Sequence, residues 1–69
     1  MRVQFWGDIE MPGILKDFFE FPFRFNVGDA VDGEIFGEPE HESAMYNVTA
    51  IVFHKDEQGI YQRVVIHKS

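Results

Sequence analysis

The residues of this 69-residue chain that could do chemistry are few: three histidines, a run of acids and a handful of hydroxyls. His41 stands beside Glu38, Glu40 and Glu42, and a carboxylate-rich loop can hold a hard cation weakly. The spacing is not that of a calcium loop, so a solvated acidic connection is expected and no metal is assigned. His54 and His67 are expected on opposite faces of a hairpin, where they cannot share an ion. Nucleophilic catalysis needs a nucleophile, a base and an orienting group together. Ser43 borders a loop, Ser69 is terminal, and Thr49 is the sole threonine. Asp32 and Glu34 share strand parity, but strand carboxylates at a surface are usually just solvated. Gly28, Gly33 and Gly37 are spread across a strand, with no following helix to cradle a phosphate. No catalytic residue and no cofactor are expected, and the chain reads as a non-enzyme.

The elements that would position these residues centre on the C-terminus. Tyr46-Asn47-Val48-Thr49-Ala50-Ile51-Val52-Phe53-His54 and Ile60-Tyr61-Gln62-Arg63-Val64-Val65-Ile66-His67 flank Asp56-Glu57-Gln58-Gly59, the pattern of a β-hairpin. Asp56 suits the first position of a type I turn and Gly59 the left-handed position after it. A three-residue loop with a glycine bulge is expected. The register then pairs His54 with Gln62, Val52 with Val64 and Ala50 with Ile66. The other face carries Phe53 with Arg63 and Ile51 with Val65. Both faces are apolar in the middle, so the second needs cover from the N-terminal half or from another copy.

Upstream, Val3 and Phe5 alternate with Arg2, Gln4 and Trp6 as a first short strand ended by Gly7-Asp8. Ile9 to Met11 reads as a second extended piece, broken by Pro12-Gly13. The apolar pairs Ile14-Leu15 and Phe18-Phe19 lie four apart, which predicts a helical turn docked on the sheet. Phe21-Pro22-Phe23-Arg24-Phe25 alternates as an edge strand or a strand start, because Pro22 cannot donate to a ladder. Ala30-Val31-Asp32-Gly33-Glu34-Ile35-Phe36 reads as a strand bent at Gly33. An acidic loop joins it to the hairpin. No linker or repeat divides residues 1–69, so one small domain is expected.

The run Phe25-Asn26-Val27-Gly28-Asp29-Ala30-Val31, a bent strand, a loop, Tyr46-Asn47-Val48 and a tight final hairpin together resemble small SH3-like barrels. The resemblance covers about residues 23–68 and concerns the fold alone. That fold hosts many functions, so no site follows from it. The expected architecture is mainly β: a small antiparallel barrel or strongly curved sheet of about five strands with one short helical turn.

Composition narrows the function. A domain this small buries only about 60% of its unfolded surface. Without cysteine it has neither a disulfide nor a thiolate metal site, which leaves a dense aromatic core or oligomerisation to stabilise it. Eight of the residues are Phe. The net charge is −6. Residues 1–42 hold ten acids against Arg2, Lys16 and Arg24, a balance of −7, while residues 43–69 balance at +1. Six basic residues without a cluster argue against nucleic acid. No long apolar run or basic leader points to a membrane or to secretion, so a cytoplasmic protein is expected. The leading expectation is a protein-interaction module that self-associates through one face of the hairpin, using Trp6, Ile51, Phe53, Tyr61, Arg63 and Val65. The alternatives are an acidic mimic of nucleic acid, built on the run from Asp29 to Glu42, and a small-ligand binder between subunits.

Overall fold

The computed structural model describes residues 1–7 and 17–69. Its strands are Arg2–Gly7 (β1), Phe18–Glu20 (β2), Ala30–Asp32 (β3), Met45–Asp56 (β4) and Gly59–Lys68 (β5). They form one curled five-stranded sheet, a half-barrel, in the order β2-β1-β5-β4-β3. β1 lies parallel to β5, with Val3 opposite Gln62 and Trp6 opposite Val65. The other pairings are antiparallel, so the sheet is mixed rather than wholly antiparallel. A parallel neighbour needs a long connection, and the chain between β1 and β5 supplies it.

The concave face holds the core. Val3 and Phe5 of β1, Tyr46 and Val48 of β4, and Val64 and Ile66 of β5 are all buried there. Phe5 is the hub. Its ring meets those of Phe19, Phe21, Phe25 and Phe36 edge-on, with centroids 4.9 to 6.1 Å apart. Edge-to-face packing sets the positive rim of one ring against the negative face of the next, which adds to the area buried. Phe5, Phe19, Phe21, Phe25 and Phe36 thus take the place of a second sheet.

Three expectations are corrected upstream of β4. Phe18 to Glu20 is extended and pairs with β1, with Val3 opposite Phe19, instead of forming a helical turn. So short an apolar pattern cannot hold a helix against a strand edge that offers hydrogen bonds. The rest of that expected turn, residues 14–16, and the extended piece at residues 9–11 lie outside the described residues. The Phe21-Phe25 run is not a strand. Its main chain is held at Phe25, whose N–H donates to Gln62 Oε1 (3.0 Å) and whose carbonyl accepts from Gln62 Nε2 (2.9 Å). A buried side-chain amide therefore does the work of a neighbouring strand. Finally, β3 stops at Asp32. Its Oδ1 accepts from the Glu34 N–H (2.9 Å) and starts a 3-10 turn over Gly33–Phe36. Gly33 is required there because a Cβ would sit 1.9 Å from the carbonyl oxygen of His41.

Candidate functional site

The hairpin decides which side chains share a surface. Its loop has two residues, Glu57 and Gln58, with Asp56 paired to Gly59 at φ 111°. The expected three-residue loop is therefore one residue too long. Asp56 Oδ1 accepts from the Gln58 N–H (2.8 Å), which tightens the turn. Pairing then runs His54 with Tyr61, Val52 with Arg63 and Ile51 with Val64. A bulge at Thr49 shifts the register, and below it Val48 pairs with Ile66. Strand parity has a period of two, so a one-residue change exchanges faces. The bulge lets Tyr46 and Val48 reach the core while Ala50 and Val52 point outward.

The six residues expected to form one contact surface are accordingly divided. Trp6, Tyr61, Arg63 and Val65 lie together on the convex face, whereas Ile51 and Phe53 are on the concave side with Val64 and Gln62. His54 and His67 both belong to the convex face, against the expectation of opposite faces. They still cannot share an ion, since about six strand residues, roughly 20 Å, separate them.

The convex face is partly covered by its own long side chains. The Arg63 guanidinium lies 4.6 Å over the Trp6 ring, and Trp6 Nε1 donates to Gln4 Oε1 (2.8 Å). The Arg2 guanidinium lies 4.7 Å from Phe18 and 5.1 Å from Tyr61. Tyr61 is stacked on His54 with centroids 5.5 Å apart. Arginine stems and planes hide aromatic surface while leaving charge in water. Arg2 also forms a two-pronged ion pair with Asp56, Nη2 to Oδ1 at 2.6 Å and Nη1 to Oδ2 at 2.9 Å. That hydrogen bond is the main cause of the Asp56 carboxyl titrating below its ordinary value.

The concave face is open where the hairpin projects. Ile51, Phe53, Gln62, Arg24, Phe25, Asn26 and Val27 line a depression of about 550 Å³. A second of about 440 Å³ adjoins it at Met1, Arg24, Phe53 and Ile60. Phe53 is 53% exposed, Ile60 61% and Val27 63%. Sequence reasoning missed Ile60, Val27 and Arg24, since nothing local marks them as neighbours of Phe53.

The acidic segment is mostly occupied with local structure. Asp29 Oδ2 accepts from the Asn26 N–H (2.8 Å), and Asp32 caps the 3-10 turn. Ligand atoms of Glu38, Glu40 and His41 lie within 4.8 Å of one another. His41 is buried, with Nδ1 2.7 Å from the Tyr46 hydroxyl and Nε2 3.8 Å from Glu38 Oε2. This network fastens the Pro39–His41 turn to the core beside Phe36.

No protein-family model matches the chain, and no curated protein or solved structure matches it. The functional reading rests on the residues themselves. Among the described residues no helix is long and apolar enough to cross a membrane.

Proposed function

We propose that this chain is a non-enzymatic, cytoplasmic protein-interaction module that self-associates through its C-terminal hairpin. One observation carries the reading. The concave face stays open at the hairpin, where Phe53, Ile60 and Val27 are each more than half exposed around two adjoining depressions that share Arg24 and Phe53. Exposed apolar surface contiguous with a core is the usual mark of a docking surface. The convex set of Trp6, Tyr61, Arg63 and Val65 has less to offer, because its guanidiniums already cover its rings. The Gly28-Asp29 turn into β3 and the tight β4-β5 hairpin support the SH3-like resemblance as part of this reading. The acidic-mimic alternative loses support, because Asp29 and Asp32 serve as turn acceptors.

The test is sedimentation equilibrium over a wide concentration range. The native sequence should associate. Phe53→Glu and Ile60→Glu should each give a monomer that stays folded and melts cooperatively, since both side chains are exposed in one molecule. A native chain that stays monomeric at high concentration removes the reading.

A further inference from the structure

β4 is twelve residues long, but β3 covers only its beginning. Met45, Tyr46 and Asn47 pair with β3, and Val48 exchanges hydrogen bonds of 2.9 Å with Gly28 and Asp29. Beyond Val48, no described residue pairs with that side of β4. The two-residue loop makes Asp56 and Gly59 a hydrogen-bonded pair, and pair types alternate along an antiparallel ladder. Asp56, His54 and Val52 therefore turn their main-chain groups toward β5. Ile51, Phe53 and Lys55 turn theirs outward, to the open edge, and Ile51 and Phe53 border the concave depression.

We infer that this edge pairs with the same edge of a second copy, antiparallel, about a two-fold axis through Phe53. This rests on the self-association reading above and specifies its geometry. Phe53 meets its own counterpart, and Ile51 meets Lys55 in both directions. The parity agrees, because all three present N–H and C=O to the edge, giving about six new main-chain hydrogen bonds. The side chains agree too. Two phenyl rings face each other, each Ile51 lies against the stem of a lysine, and Asp56 falls opposite Ala50, so no like charges oppose.

Charge argues for a second copy as the occupant. The balance of −7 lies in residues 1–42, and residues 43–69 balance at +1. The hairpin is thus the part of the molecule where two copies can meet without setting acid against acid. An isologous contact on a sheet edge also closes on itself and stops at two. The edge lacks the usual protections, having no proline and one lysine in residues 49–56.

The chain has no cysteine, so an Ile51→Cys/Lys55→Cys double variant is a clean probe. Within one strand these positions are about 13 Å apart, too far for a disulfide. Across the inferred pairing their Cα atoms are about 5.5 Å apart. Mild oxidation should give a covalent dimer, resolved on a non-reducing gel and reversed by reductant. Independently, Lys55→Pro removes an outward N–H but no bond to β5. It should weaken association about 100-fold, the loss of two main-chain bonds, with the circular dichroism spectrum of the folded chain unchanged. Failure of either result in a chain that still self-associates overturns the edge pairing and leaves self-association standing. A native chain that is monomeric throughout, or that loads this edge with a foreign peptide instead, overturns both.

Discussion

Gln62 has the most leverage of any single residue. It is buried on the face of β5 that otherwise presents Val64 and Ile66, and both ends of its amide are engaged by Phe25. Gln62→Leu would fill the space but leave the Phe25 N–H and C=O unpaired away from water. A loss of about 2–6 kcal/mol is expected, at 1–3 kcal/mol for each of the two orphaned groups, read from urea unfolding. Gln62→Glu keeps the acceptor and loses the donor, so that variant should weaken as pH rises and its carboxyl ionises against the Phe25 carbonyl. Gly33 is the second such residue. Its substitution by Ala sets a methyl against main chain that cannot yield, at a cost of about 1–3 kcal/mol, measurable in the same experiment. Tyr46 supplies a spectroscopic handle. Burial holds its hydroxyl above the ordinary value of 10.0. With the folded value the higher one, its contribution is whole below pH 10 and is lost as pH rises through the folded value. Absorbance at alkaline pH should show Tyr46 ionising late, together with unfolding, and Tyr46→Phe should remove that component.

At the scale of elements, the hairpin tip is fastened to β1 by Arg2. Its guanidinium reaches Asp56 and also the Gly59 carbonyl at 3.1 Å. Because the Asp56 carboxyl titrates below its ordinary value of 3.8, the tether contributes fully above that value and fades as pH falls through the lower, folded one. Thermal melting in acid should therefore show a decline in the native chain that Asp56→Asn lacks, its stability being lower already at neutral pH. The pair lies at the surface, with Asp56 exposed and Arg2 half-buried, so added salt should blunt the difference between the two chains. The tether matters for association as well. It lies at the end of the free edge of β4, and loosening it should increase hydrogen exchange at Gln58 and Gly59 before the core amides respond.

For the whole molecule the deciding quantities are size and charge. A 69-residue chain of net charge −6 repels its own copies at long range. Association through apolar edge pairing should tighten as salt screens that repulsion, whereas a charge-driven contact would loosen. Sedimentation at low and high ionic strength separates the two. The half-barrel form is also why the hairpin tip is open: β3 is three residues long and reaches only the start of β4.

Much of this architecture was legible in the sequence. Alternation marked β1, β4 and β5, Gly59 marked the turn, and eight phenylalanines marked an aromatic core. The convex placement of Trp6 and Tyr61 followed from parity alone. Local pattern could not reveal the bulge at Thr49 or the two-residue loop, because the flanking residues alternate equally well in either register. That one-residue difference separated Ile51 and Phe53 from Arg63 and Val65. Nor could it reveal that Gln62, polar but on the same strand face as Val64 and Ile66, would be the partner of Phe25, a contact across 37 positions. The sequence by itself determined what each segment could be, since extended or turning backbone is set by neighbours a few residues away. Which face each segment shows, and what is left uncovered, was decided by tertiary packing, because only then do distant residues compete for the same buried volume.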